Sequence, residues 1–224
     1  WAPLLRLAEE ESDLIRMVGP GLTPSETNPR DRFFKTTTWE EGDSRFTRTE
    51  VDAAGRTLSS LTRRDRDTDT VWTVEHLLKD EDDLRAYLRL PEAVMDYEVD
   101  VRRFLDAEAA LGDRGLAMLD TADALCHAAE LFAMEDYLLI AFSEPDLFHA
   151  LLQRFERFVQ RTADAAARLA PGRLWRLVGP EFACEPYLPP RLFSEYVVRY
   201  DEPVIRTIQA SGGWARLHCH GRIR

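Results

Sequence analysis

The sequence predicts an α/β protein with a parallel sheet, of the (β/α)8 TIM-barrel type, and two observations indicate this fold. About four short apolar runs alternate with helical segments whose lengths require right-handed crossovers between parallel strands. Polar residues and glycines follow the carboxyl ends of these runs, as they do on the active face of such barrels. Because a closed barrel needs eight strands, residues 1–224 are predicted to form a single partial barrel domain, with about half of the barrel present.

The first elements follow one another closely. A short helix is predicted at residues 3–12, where leucines lie on one side and glutamates on the other. A buried strand is predicted at residues 13–18, because an apolar run there ends in a Gly-Pro-Gly turn. Residues 23–32 have no apolar period and are predicted to form a loop.

A small antiparallel β insertion is predicted at residues 33–78. Residues 45–51 and 56–62 show threonine-rich alternation on both sides of a turn that contains Gly55, which indicates a hairpin. A further strand is predicted at residues 71–76. This insertion interrupts the parallel core without belonging to it.

Helices and strands alternate in the rest of the chain. Asp80 is expected to cap a helix, and apolar residues at helical spacing predict a second helix at residues 94–111. The remaining predicted elements are a strand at 115–119, helical segments at 125–142, a helix at 146–169, a strand at 174–178, a helix at 191–210 and a strand at 214–217.

Composition excludes several classes of protein. A formal net charge of −11 repels a phosphate backbone, so nucleic-acid binding is not expected. No apolar run reaches the length of a membrane span and no charged leader is visible, so neither a membrane segment nor a signal peptide is expected. The 3 cysteines form no CxxC pair, which favours the cytoplasm. Because the chain begins at Trp1 and not at Met, we expect a fragment.

His218 and His220 are the candidate metal ligands. They lie two residues apart at the end of a predicted strand, so their side chains point to the same side, as two ligands of one metal require. The alternative is a hydrogen-bonded histidine pair at the rim of a barrel. Cys219 faces the other way and is expected to pack against its neighbours, since free cysteines are commonly buried.

Further candidates are carboxylates near the other strand ends, where barrel enzymes place their catalytic groups. Glu181 and Asp120 are assigned to acid–base catalysis, and Glu185, Asp123 and His127 to substrate binding. The alternatives are that the glutamates are solvated loop charges, that one aspartate caps the next helix, and that the histidine is a half-buried structural residue.

Three stretches carry a resemblance to one family. They are residues 71–76 followed by residues 79–84, the Pro-Pro-x-Leu-Phe-x-Glu-Tyr-Val of residues 189–197 with Tyr200, and the Gly-Gly strand that ends in His218-Cys219-His220-Gly221. Together they cover most of residues 70–224 and resemble the uroporphyrinogen decarboxylase (URO-D) superfamily. The resemblance implies a (β/α)8 barrel whose site lies at the carboxyl ends of the strands.

The zinc- and corrinoid-dependent methyltransferases of this superfamily look most similar. In them a strand ending in His-x-Cys-Gly supplies two zinc ligands, and a third cysteine lies far downstream. The resemblance places His218 on the histidine and His220 on the cysteine, with the third ligand outside this chain. It implies zinc, a corrinoid protein as partner, and methyl transfer between the corrinoid and a thiol or similar acceptor.

Two other functions stay open. Metal-free uroporphyrinogen decarboxylases of porphyrin biosynthesis use an arginine loop, an aspartate at an early strand exit and a tyrosine after a later one. This sequence has Gly19-Pro20-Gly21 at the early exit and His127 where the tyrosine is sought. The other function is a non-catalytic barrel that binds a small ligand. All three readings involve a small molecule, and a homodimer is an option in each.

Overall fold

A computed structural model describes residues 2–221 of the chain. Its strands are β1 (Leu14–Val18), β2 (Gly21–Pro24), β3 (Phe34–Glu41), β4 (Ser44–Ala53), β5 (Arg56–Asp65), β6 (Val71–Glu75), β7 (Tyr97–Asp100), β8 (Gly115–Ala122), β9 (Leu174–Val178) and β10 (Trp214–His218). Its α-helices are α1 (Ala2–Glu11), α2 (Glu81–Leu88), α3 (Arg102–Leu111), α4 (Ala124–Ala129), α5 (Met134–Ser143), α6 (Pro145–Leu169), α7 (Pro190–Phe193) and α8 (Arg199–Ala210).

The chain divides into two compact units. The first contains Trp1–Thr23, Tyr97–Cys126 and Glu156–Arg224, and the second contains Pro24–Asp96 and His127–Phe155. The first unit holds the parallel sheet and the second holds an antiparallel sheet.

The parallel sheet of the first unit makes the fold α/β, as predicted. Its strands lie in the order β1-β8-β9-β10, and each pairs with its neighbours in the parallel sense. Val18, Leu119, Trp175 and Ala215 are aligned across the four strands. Strands that follow one another in sequence therefore also neighbour one another in space, although long segments separate them along the chain.

Helices cover one face of this sheet. Leu119, Trp175 and Leu177 point to that face and are at most 1% exposed. They pack in one cluster with side chains from α3, α6 and α8, which are Phe104, Val159, Ala163, Ala166, Val204 and Ile208. The alanines of α6 allow that helix to approach the sheet closely. Each large side chain buried in this way stabilises the unit by roughly 2 kcal/mol.

The opposite face of the sheet carries exposed apolar side chains. Ile15 is 64% exposed, Leu116 is 48% exposed and Trp214 is 73% exposed. Parallel sheets are normally covered on both faces. This face therefore resembles the inner wall of a barrel more than the surface of a finished sheet.

The helix predicted at residues 94–111 is wrong in its first half. A 3-10 turn at Glu92–Met95 leads into β7, and α3 begins only at Arg102. β7 pairs with β2, which overlaps only the first two residues of the loop predicted at 23–32. The apolar spacing in this segment fits a helix, but pairing with a distant strand determines the backbone.

The second unit contains the antiparallel strands predicted at residues 33–78. β3, β4, β5 and β6 pair in chain order, and tight turns at Gly42 and Gly55 have positive φ angles of 60° and 82°. The expected cap is confirmed, because an Asp80 side-chain oxygen accepts a hydrogen bond from the Asp83 N–H at 2.7 Å at the start of α2.

The helix predicted at residues 191–210 is divided into three parts. α7 begins at Pro190, a π-helical turn follows at Ser194–Val198, and α8 continues to Ala210 with Pro203 inside it.

The helix predicted at residues 146–169 is confirmed as α6, which begins one residue earlier. Among the helices of residues 2–221, none is both long enough and apolar enough to cross a membrane.

Candidate functional site

The carboxyl ends of β8, β9 and β10 lie side by side and carry most of the candidate residues. Asp123 directly follows β8, and its N–H donates to the Val178 carbonyl oxygen at 2.8 Å, which extends the pairing to the last residue of β9. Gly179 follows β9 with a φ of 131°. A Cβ at this position would lie 2.1 Å from Asp123 Oδ1, so only glycine allows the close approach.

The Asp123 carboxyl is buried at this junction, with the residue 1% exposed. Its Oδ1 accepts a hydrogen bond from the Cys126 N–H at 2.6 Å, which is the geometry of a helix cap. Its Oδ2 is buried without a hydrogen-bond partner. The structure therefore supports the capping alternative for Asp123 and leaves one oxygen unused by the cap.

Asp201 on α8 is a second buried carboxyl of the same unit, and the sequence reasoning missed it. The residue is 3% exposed and its Oδ2 also has no hydrogen-bond partner. A signal existed, because Asp201 lies four residues after Val197 and three before Val204, on the apolar stripe of the helix. An acidic residue in such a stripe is an indicator of a functional or protonated group.

Burial shifts the acid–base equilibria of both carboxyls toward the protonated form. Burial raises the pKa of Asp201 to about 7. Burial also raises the pKa of Asp123 well above its usual value, and the nearby negative charges of Asp201 and Glu181 raise it further. Near neutral pH Asp201 is therefore divided between its protonated and ionised forms, and the equilibrium of Asp123 is displaced toward its protonated form.

Glu181 lies in the 3-10 turn Pro180–Ala183 after β9, as expected from the sequence. Its Oε2 accepts a hydrogen bond from the Gly179 N–H at 3.2 Å, and the residue is partly buried. Glu185 is exposed beyond this turn. Of the two glutamates, Glu181 is therefore the one held at the strand ends.

Asp120 is located differently from the prediction. β8 continues to Ala122, so Asp120 lies inside the strand and not at its exit. It faces Arg176 of β9 across the sheet, and two hydrogen bonds of 2.7 and 3.1 Å join the carboxylate to the guanidinium. Both carboxylate oxygens of Asp120 are therefore bound to Arg176. The acid–base role assigned to Asp120 requires one of these oxygens to exchange a proton with a substrate.

His218 and His220 approach each other at the end of β10. Their Nε2 atoms are 2.7 Å apart and their rings are nearly perpendicular, with His218 partly buried and His220 exposed. The observed contact is the hydrogen-bonded pair of the alternative interpretation, and it brings two imidazole nitrogens together at the end of the strand. Zinc accepts such nitrogens as ligands.

The described residues bring two candidate zinc ligands to this point, and they form no complete zinc site. A catalytic zinc takes three protein ligands. No group of three histidine, cysteine, aspartate or glutamate side chains with metal-binding geometry occurs within residues 2–221. The fit to zinc is therefore partial within residues 2–221.

Cys219 faces away from the two histidines and contacts a second cysteine. Its Sγ lies 3.2 Å from Sγ of Cys184, which follows the turn after β9. Burial, together with the hydrogen bond to Cys219, raises the pKa of the Cys184 thiol to about 12. The sequence did not predict this contact, because it depends on the pairing of β9 with β10.

His127 belongs to the second unit and is partly buried there. Its ring stacks on Phe155 with ring centroids 5.4 Å apart. Burial lowers its pKa to about 4, so the imidazole is neutral at physiological pH. This environment matches the structural alternative for His127.

Comparison of the chain with protein-family models, with curated protein sequences and with solved structures found no significant match.

Proposed function

We propose that the chain is part of a (β/α)8-barrel enzyme of the uroporphyrinogen decarboxylase superfamily, closer to its methyl-transferring branch and located in the cytoplasm. The order β1-β8-β9-β10 supports a barrel, because an open doubly wound sheet reverses its strand order at a switch point. The helices on one face and the exposed apolar residues on the other also agree with a barrel wall.

The convergence of His218 and His220 carries the functional proposal. Their Nε2 atoms meet at the carboxyl end of β10, where enzymes of this architecture place their catalytic groups. We assign both as zinc ligands, with a third ligand outside the described residues. When bound, zinc lowers the pKa of an acceptor thiol so that the thiolate can take a methyl group from a corrinoid protein.

Glu181 is the chain's own contribution to proton transfer in this proposal. It is partly buried, and its turn contacts β10, the strand that ends in the two histidines. A hydrogen bond from the Gly179 N–H holds one carboxylate oxygen, and the other oxygen is available to accept the acceptor thiol's proton. Asp123 and Gly179 fix the position of the strand end that carries this turn.

Zinc binding by purified protein tests the proposal. We expect about one zinc per chain, and at least a tenfold loss of affinity in His218→Ala and in His220→Ala, since each variant removes a ligand. His76→Ala is the matched control, because His76 contacts the Glu130 carbonyl at 3.1 Å in the other unit. Zinc content that is unchanged in both ligand variants would reject the zinc role.

Metal-free decarboxylation is a second candidate, and the buried aspartate pair favours it. Loss of carbon dioxide from a pyrrole side chain leaves a carbanion that must be protonated, and an acid with a pKa near neutrality is suited to supply that proton. Asp201 has a pKa of about 7. Incubation with uroporphyrinogen in the presence of a zinc chelator, followed by chromatography of the products, tests this candidate. Absence of decarboxylated product would exclude it.

A further inference from the structure

The thiols of Cys184 and Cys219 form a pair at two neighbouring strand ends. Cys219 comes directly after β10, and Cys184 comes directly after the 3-10 turn that follows β9. Their sulfur atoms are 3.2 Å apart, with Cys184 4% exposed and Cys219 partly exposed. A disulfide bond is about 2.05 Å long, so a movement of about 1 Å would join the two sulfurs.

The surrounding backbone holds the two sulfurs at this distance. A Cβ on Gly221 would lie 2.1 Å from Cys184 Cβ, so the chain after β10 lies directly against Cys184. The Gly221 N–H donates to Cys219 Sγ at 3.4 Å, and the Cys184 thiol lies 3.4 Å from the Pro180 carbonyl oxygen. These contacts orient both side chains toward each other.

We propose that Cys184 and Cys219 are a site of reversible disulfide formation with low-molecular-weight disulfides such as oxidised glutathione. Cys219, the more exposed of the two, attacks the oxidant as a thiolate, and one glutathione leaves as a thiol. Cys184 then attacks Cys219 Sγ and breaks the mixed disulfide, and the Cys184 proton passes to the departing sulfur, so that the second glutathione also leaves as a thiol. Two protein thiols are oxidised to one disulfide while oxidised glutathione is reduced to two thiols.

The bond would connect two segments that carry the candidate site. Cys184 closes the turn that contains Glu181, and Cys219 lies between His218 and His220. Oxidation would fix these segments to each other, and reduction would release them. The proposal depends only on the sulfur pair, so it stands or fails independently of the zinc and decarboxylation proposals.

Equilibration of the full chain with mixtures of oxidised and reduced glutathione tests this inference. We expect the intact mass to fall by two hydrogen atoms as the oxidised fraction rises, and peptide mapping to link Cys184 to Cys219. Excess reduced glutathione should restore the original mass. Cys184→Ala and Cys219→Ser should each abolish the internal bond, whereas Cys126→Ser should retain it, with circular dichroism confirming that each variant is folded.

Three outcomes would overturn the inference. One is a glutathione adduct at Cys219 that persists without an internal bond. Another is a disulfide that involves Cys126 or joins two chains. The third is a full chain whose mass does not change at any glutathione ratio while unfolded chain under the same conditions is oxidised.

Discussion

Asp201 shows how one residue can combine a structural position with an unusual acid–base property. It lies on the buried stripe that runs from Val197 in the π-helical turn to Val204 in α8, where an apolar side chain is expected. Its pKa is raised from the ordinary aspartate value of 3.8 to about 7 by burial. The folded state therefore binds the Asp201 proton more tightly than the unfolded state does, and this difference links stability to pH.

The pH dependence of stability should report this proton. Below pH 4 Asp201 is protonated in both states, so the stabilisation from proton binding is fully present there, and it is lost as the pH rises through about 7. We expect Asp201→Asn to remove this loss, because the amide stays neutral. Above pH 7 the variant should be more stable than the wild type by a few kcal/mol, on the order of 1.4 kcal/mol per unit of pKa shift.

The measurement is denaturant unfolding of both proteins between pH 4 and pH 9. Glu202→Gln is the control, because Glu202 neighbours Asp201 on α8 but is exposed and pairs with Arg206. That variant should follow the wild-type curve. Curves for wild type and Asp201→Asn that run parallel over the whole range would show that the Asp201 proton does not contribute.

Gly179 provides a second test at the scale of one residue. Alanine there requires a φ of 131° and a Cβ 2.1 Å from Asp123 Oδ1. We expect Gly179→Ala to lower the free energy of unfolding by about 3 kcal/mol or more, from backbone strain and steric overlap together.

Gly172→Ala separates these two causes. Gly172 also has a positive φ, 73°, but a Cβ there meets no atom within 4 Å. We expect Gly172→Ala to lower the free energy of unfolding by the backbone strain alone, about 1–2 kcal/mol. Equal losses in thermal or denaturant unfolding of the two variants would mean that the close approach to Asp123 is relieved by local movement.

At the scale of elements, β8 and β9 are joined by more than their backbone ladder. The Asp120–Arg176 pair bridges them directly, with side chains 26% and 19% exposed. Cross-strand pairs of opposite charge in such partly exposed positions contribute modestly to stability. The pair accounts for Asp120 without a catalytic role.

A double-mutant cycle measures this contribution. We expect Asp120→Asn and Arg176→Gln to show a coupling energy of about 0.5–1 kcal/mol in denaturant unfolding, because each variant removes the same bidentate contact. The double variant should then lose less than the sum of the single variants. The catalytic assignment would be favoured if the two substitutions changed the free energy of unfolding additively and if Asp120→Asn, but not Arg176→Gln, abolished turnover.

The elements differ in how far the sequence predicts them. The strand expected at residues 174–178 is β9, because a short apolar run bounded by glycines specifies a buried strand locally. β7 was not predicted, since its conformation depends on pairing with β2, far earlier in the chain. The same limitation explains Asp120, because pairing with β9 extends β8 by three residues beyond its apolar run.

For the molecule as a whole, the sequence predicted the α/β class and the edge of the sheet that carries the candidate site. Glu181, His218 and Asp123 lie at strand ends because apolar runs predict where those strands end. The partners of these residues were not predictable, since Asp201 and Cys184 reach the site through the packing of α8 and the pairing of β9 with β10. Contacts between segments distant in sequence leave no local pattern.

The exposed face of the parallel sheet has a consequence for self-association. Ile15, Leu116 and Trp214 would favour stacking of two copies through this face. Arg176 and Arg216 are aligned in the middle of it, and Asp120 neutralises only the first. Within residues 2–221 no carboxylate pairs with Arg216, so two stacked copies would bury its guanidinium twice, at a desolvation cost of several kcal/mol for each ion. A charged side chain in the middle of this apolar face therefore opposes self-association of the chain through it.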